Sequence, residues 1–193
     1  TCALPILERE AKKTILEVSE AFKVLLVTGP RQVGKTTLLK SIMPENMNYV
    51  TLDDENLRTM AQEDPKLFLE EYKAPLLIDE VQYAPNLFSY IKIKVDNENK
   101  PGMYWLTGSQ QFKLMKNVQE SLAGRVGIVR LNSFTYSEIN KKAETKEIFN
   151  PKKIVKSELI DVNTLYEYIF KGGMPELYNN DKMKREYFFN SYI

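Results

Sequence analysis

Apolar residues in this chain gather in short, nearly unbroken runs. Between the runs they recur every three or four positions. The runs fall at Val24 to Val27, Asn48 to Leu52, Pro75 to Ile78, Met103 to Thr107 and Val126 to Leu131, and each reads as a β-strand. Pro75-Leu76-Leu77-Ile78 carries no alternation, which suits a strand buried on both faces of a parallel sheet. The intervening stretches have helical spacing. Leu7, Ala11, Ile15, Val18 and Phe22 predict a helix over 6–22, and Thr37 to Met43 predicts another that Pro44 stops. Further helices are expected over 55–62, 66–72, 87–95 and 112–122. Asp64-Pro65 would open the second of these, and Gly124 would end the last in a left-handed stop. Strand and helix alternate throughout, which predicts an α/β architecture.

Beyond Leu131 the pattern changes. Thr135-Tyr136-Ser137-Glu138 has capping-box spacing, and so does Thr164-Leu165-Tyr166-Glu167. The stretch 141–156 is polar and interrupted by Pro151, as expected of a linker or loop. The second capping box opens an aromatic helix that ends at Gly172-Gly173. Residues 182–193 predict a last helix whose Tyr187, Phe188, Phe189 and Tyr192 have little chain left to cover them. More chain, or a partner, is expected on that face. The expected organisation is an α/β domain over 1–140, a linker over 141–160, and the truncated start of a helical domain over 161–193. The first residue is Thr1 rather than methionine, so a few residues are expected to precede it.

Composition narrows the chemistry. Across 193 residues the formal net charge is +1, so no global charge favours nucleic acid or acidic lipid. The pairs Lys12-Lys13, Lys141-Lys142 and Lys152-Lys153 read as solvated faces, and no basic stripe with interleaved aromatics supports nucleic-acid binding. The chain has no histidine, which excludes imidazole catalysis and histidine metal ligation, and its single cysteine, Cys2, excludes an internal disulfide. No apolar run has the length of a membrane span and no signal-peptide pattern is present. A cytoplasmic location is the expectation.

The most specific stretch is Gly29-Pro30-Arg31-Gln32-Val33-Gly34-Lys35-Thr36, followed by Thr37. It has P-loop spacing, with an apolar strand before it and a helix after it, the context the motif requires. Gly29 and Gly34 allow the backbone to turn tightly and approach an anion. The loop amides and the helix N-terminus aim partial positive charge at phosphate oxygens. Lys35 can reach β- and γ-phosphates, and the Thr36 hydroxyl can ligate Mg2+. Arg31, within the loop, can brace it against an acid or face a partner.

Leu76-Leu77-Ile78 ends abruptly in Asp79-Glu80. Carboxylates at the end of a buried strand must meet a cation or open into a cleft. Beside a P-loop that cation is Mg2+, with Asp79 holding it alongside Thr36 and Glu80 free to polarise an attacking water. Gln82 is a further candidate for positioning water. Asp53-Asp54 can face the nucleotide or cap the helix at Glu55, and the capping strength of Asp favours the cap. Thr107 and Ser109, with Gln110 behind them, can report a terminal phosphate or simply close a strand with a turn. Arg125, after Gly124, can stabilise transition-state charge in its own subunit or a neighbour's, or make a structural ion pair. Leu4 to Arg9 is a candidate neighbour of the base.

These motifs resemble those of the prokaryotic AAA-type ATPases usually labelled "ATP-binding protein". The likeness is carried by Gly29 to Leu39, Leu52-Asp53-Asp54, Leu77 to Gln82, Leu106 to Ser109 and Ser121 to Val126. Gly172-Gly173-Met174-Pro175-Glu176 resembles the segment leading into that family's C-terminal half. The resemblance implies a three-layer P-loop fold with a parallel five-stranded sheet in the order 5-1-4-3-2, and ATP rather than GTP as ligand, with Mg2+. It implies phosphate contacts from Gly29, Pro30, Arg31, Gln32, Val33, Gly34, Lys35, Thr36 and Thr37, metal ligation at Thr36 and Asp79, catalysis by Lys35 and Glu80, and Arg125 as a finger; Ser109 joins the catalytic candidates from the strand-end reading above. It also implies a homo-oligomer sharing that arginine. The expected activity is ATP hydrolysis coupled to movement of a C-terminal domain. A nucleotide-gated switch with little turnover is the main alternative, and a small P-loop kinase is the weaker one.

Overall fold

The computed structural model describes residues 7–109, 112–140 and 160–192. The described chain divides into two compact units: residues 11–132 form one, and residues before Ala11 with those from Ser133 onward form the other. The Thr135–Glu138 capping box falls in the second of these units, with the residues just before Ala11.

The larger unit is built on five parallel strands: β1 Val24–Gly29, β2 Asn48–Thr51, β3 Leu76–Asp79, β4 Tyr104–Ser109 and β5 Val126–Arg130. Their order across the sheet is β2-β3-β4-β1-β5, which is the expected 5-1-4-3-2 read from the other edge. The register runs Val24↔Tyr104 to Gly29↔Ser109 between β1 and β4, and Thr51↔Asp79 closes the β2–β3 pair. All of β1, β3 and β4 is buried. Their unbroken apolar runs follow from helices covering both faces.

The helices of this unit are α1 Ala11–Ala21, α2 Lys35–Ile42, α3 Glu55–Glu63, α4 Pro65–Glu71, α5 Leu87–Glu98 and α6 Phe112–Leu122. Asp54 caps α3 by accepting from the amides of Asn56 and Leu57, and Asp64 caps α4 ahead of Pro65. α5 continues past Val95 to a left-handed stop at Asn99, where the sequence offers no glycine signal. α1 starts at Ala11 rather than at residue 6, for a reason that lies in the second unit. The core joins Leu26, Val50, Phe68, Ile78, Phe88, Leu106 and Leu122 among others. Each such side chain, fully buried, stabilises the fold by about 1.5–3 kcal/mol.

The second unit contains α7 Tyr136–Ile139, α8 Val162–Lys171, α9 Glu176–Asn179 and α10 Arg185–Tyr192. Thr135 and Glu138 form the expected capping box. The same Glu138 does more. Its Oε1 accepts from Arg9 Nε at 3.0 Å and from the Glu10 amide at 2.8 Å, while Oε2 accepts from the Thr135 amide. Arg9 and Glu138 are both buried, and the Arg9 guanidinium lies 4.7 Å from the Phe134 ring centre. This pairing holds residues 7–10 outside the helix that the spacing of Leu7 predicts. The second capping box is corrected: α8 starts earlier, at Val162, with Asp161 as its cap, because the Asp161 carboxylate accepts from the amides of Asn163 and Thr164. Phe188 is buried, against the expectation that the last helix lacks cover, whereas Tyr187 is exposed. The polar stretch 141–156 lies outside the described residues.

Candidate functional site

β1 ends in Gly29, whose φ of 150° lies outside the range most side chains tolerate. A Cβ there would sit 2.0 Å from the Leu131 carbonyl oxygen, so the chain passes this point only as glycine. The loop then turns through Gln32 (φ 59°) and Gly34 (φ 86°) into α2. Val33 is buried and anchors the loop from beneath. The first turn of α2 has amides with no partner inside the helix, so they can meet an anion. Lys35, almost fully buried, folds back and donates to the carbonyls of Gly29 at 3.2 Å and Pro30 at 2.8 Å. Burial pushes its ammonium below the ordinary lysine value; Glu80 and Asp79 oppose that shift, and Arg31 adds to it.

β3 brings its acids to the same end of the sheet. Asp79 accepts from the Thr36 hydroxyl at 2.8 and 2.9 Å, from the Thr107 hydroxyl in a short bond, and from Tyr49 Oη at 3.3 Å. A buried carboxylate with three hydroxyl donors is held in one place. The oxygen set of Thr36 and Asp79 suits Mg2+, which is bound through one or two protein oxygens plus substrate phosphates rather than by an all-protein cage. Glu80 stands next, in a left-handed backbone conformation (φ 56°) that costs a non-glycine residue roughly 1–3 kcal/mol. Its amide donates to Thr107 Oγ1 at 3.1 Å. Thr107 is thus engaged with both acids and fully buried, which makes it a brace for the acidic pair.

Arg31, Gln32, Gly34, Lys35, Thr36, Thr37, Asp53, Glu80 and Tyr83 line one cavity of about 460 Å³. Neighbouring acids therefore divide their work: Asp54 caps α3, and Asp53 faces the cavity. Two contributors escape the sequence reading. Tyr49 reaches Asp79 from β2 while Lys40 sits over its ring at 3.5 Å, and Tyr83 lines the cavity beneath the Arg58 guanidinium. A tyrosine on the strand beside the acids carries no periodic signal for such reach; only the strand order reveals it. Ser109 ends β4 opposite Gly29 and accepts from Gln82 Nε2 at 3.4 Å. Gln110 lies outside the described residues, as do Leu4 to Ile6; Arg9 is engaged with Glu138.

Arg125 lies away from this cavity and makes the structural ion pair that is one of its expected roles. It precedes β5, and its carbonyl accepts from the amide of Val24 at the start of β1. That is the opposite end of the strands from Gly29, about 15–20 Å away along β1. Its guanidinium forks Asp96 at 2.6 and 2.8 Å. Within its own subunit it does not face the cavity.

A family model described as an AAA domain matches residues 21–140. This chain belongs to the AAA-type P-loop ATPases. Among curated relatives, this chain is 34% identical over 144 residues to the uncharacterized protein Rv2008c of Mycobacterium tuberculosis, and equally to the uncharacterized protein Mb2031c of Mycobacterium bovis. Each alignment covers 74% of this chain and 32% of the relative, so the match spans about a third of the relatives' length. Among solved structures, a Walker-type ATPase of Pyrococcus abyssi aligns with 18% identity and TM-score 0.48, over 70% of this chain and 57% of that one. Domain III of the replication initiation protein DnaA of Thermotoga maritima aligns with 20% identity and TM-score 0.42, over 68% and 66%. Among the described residues, no helix is long and apolar enough to cross a membrane.

Proposed function

We propose that this AAA domain binds ATP with Mg2+ in the cavity above β1 and β3 and hydrolyses it to ADP and phosphate. The observation that carries the reading is the Thr36–Asp79 contact beside Lys35, because it joins the phosphate-binding loop to the acidic strand in one cluster. The loop amides and Lys35 bind the phosphates, the lysine exchanging the Gly29 and Pro30 carbonyls for phosphate oxygens. Thr36 and Asp79 would hold Mg2+, which would supply positive charge against the phosphates. Glu80 takes a proton from the attacking water, the bond from the γ-phosphorus to the bridging oxygen breaks, and ADP leaves with the electron pair. Ser109 senses the terminal phosphate, a role supported by its register opposite Gly29. Coupling of nucleotide state to the C-terminal unit belongs to the same proposal, as does a cytoplasmic location.

A second reading has one observation in its favour. Arg125 is tied to Asp96 at the far end of the strands, so it acts as a finger only on a neighbouring copy. Alone, the domain then behaves as a nucleotide-gated switch that binds ATP and turns over slowly. Specific turnover that rises with protein concentration supports the shared site; turnover that stays flat opposes it. For hydrolysis itself the test is Glu80→Gln, measured as phosphate release. A fall of about 10²–10⁴-fold is expected from loss of the base. Unchanged release would remove Glu80 from the mechanism.

A further inference from the structure

Gln82 lies in a single 3-10 turn, Val81–Tyr83, immediately after Glu80. Its amide spans the ends of two strands. Nε2 donates to Glu80 Oε2 in a short hydrogen bond and to Ser109 Oγ at 3.4 Å. Oε1 is buried with no hydrogen-bond partner among the described residues. Turning the amide over would place that oxygen against the Glu80 carboxylate, two acceptors face to face, so the donor edge is the one that faces the acid. Both N–H groups are then committed. An amide that uses both donors and leaves its acceptor unmatched is held by those two bonds rather than by general polarity.

We propose that Gln82 is a positioning residue for the hydrolytic reaction: it fixes the Glu80 carboxylate relative to Ser109, across the ends of β3 and β4. The inference rests on the reading of Glu80 as the base. Glu80 lines the cavity and Gln82 holds its Oε2, while its left-handed backbone narrows the directions its side chain can take. Because Ser109 is opposite Gly29 in the sheet register, anything that draws the serine toward a terminal phosphate changes the pull on the Gln82 amide. The clamp thereby links phosphate occupancy at β4 to the aim of the carboxylate at β3. Gln82 acts here through Glu80 and Ser109, the two side chains to which its amide donates.

The test is Gln82→Leu in the full-length chain, with ATP affinity and phosphate release measured side by side. Near-isosteric leucine removes both N–H donors. Affinity should stay within about twofold, and kcat should fall roughly ten- to a hundredfold, the scale of a misaimed catalytic group. In the Glu80→Gln background, Gln82→Leu should cost nothing further, a non-additivity that a purely structural role would not produce. If Glu80→Gln leaves turnover intact, the base assignment fails. If Glu80→Gln abolishes turnover but Gln82→Leu leaves kcat unchanged or adds its own loss in the double variant, the clamp alone is overturned. A second readout is independent of turnover. In chain labelled with 15N at glutamine side chains, the Gln82 amide protons should be protected from exchange and should move in Ser109→Ala. A freely exchanging amide that ignores Ser109→Ala would also overturn the clamp.

Discussion

The two units of this chain each cohere by different means. The sheet unit buries three whole strands, and its largest side chains, Trp105, Tyr104, Phe68 and Phe88, are nearly inaccessible. Its cohesion is apolar and spread over many residues. The second unit has few buried apolar side chains among the described residues, chiefly Phe134, Leu177 and Phe188. It relies on one buried ion pair, Arg9–Glu138, and on edge-on aromatic contacts such as Phe134–Tyr178 and Tyr136–Tyr168. Meanwhile α8 leaves Val162, Tyr166, Ile169 and Phe170 about two-thirds exposed. A rigid apolar sheet can carry a site at its strand ends, because the strands supply positions without moving. A unit held largely by polar and ring contacts is the part whose packing can be altered locally.

The contrast can be broken at its strongest point first. Trp105→Ala should destabilise the sheet unit by about 3–5 kcal/mol, the range for removing a large buried aromatic. Denaturant unfolding followed by circular dichroism measures this, and a loss under about 1 kcal/mol would mean that the apolar cohesion lies elsewhere than in this core. Arg9→Ala should cost about 3 kcal/mol by leaving the Glu138 carboxylate buried without its cation. The local signature is faster hydrogen exchange at the Glu10 and Thr135 amides, both of which donate to Glu138. Undiminished protection there would show that the pin is dispensable.

The smallest effect comes from the exposed pair on the sheet unit. Hydrogen bonding from Arg125 holds the Asp96 carboxyl below its ordinary value of 3.8. A carboxyl with a depressed folded value contributes stability that is fully present above 3.8 and is lost as pH falls through the lower folded value. Asp96→Asn should therefore flatten a slight acid-side slope in melting temperature and leave neutral stability nearly unchanged. An equal slope in the variant would assign it to other groups.

What can be read from the sequence follows the same division. The loop from Gly29 to Thr36 and the Asp79-Glu80 pair are legible because a P-loop and an acidic strand end are both written in consecutive residues. The buried strands are legible because their apolar runs are continuous. Contacts formed across the fold leave no such trace. Leu7 fits the helical spacing of α1, yet Arg9 is drawn to a carboxylate 129 positions away. Glu138 is visible as a cap and invisible as an ion-pair partner, since only the first role is local. Arg125 has the local marks of a finger after a helix, but which end of the strands it occupies depends on strand direction. Tyr49 and Tyr83 enter the site by side-chain reach, which periodicity does not encode. Adjacent Asp53 and Asp54 diverge because one belongs to the strand end and the other to the helix start.

A shared metal–nucleotide cluster at the ends of β1 and β3 is the central claim. Calorimetric titration of ATP into the protein and into Asp79→Asn, each with and without Mg2+, addresses it most directly. Mg2+ should tighten ATP binding to the native protein, and Asp79→Asn should remove most of that gain while ATP still binds without metal. The same gain from Mg2+ in both proteins would contradict it.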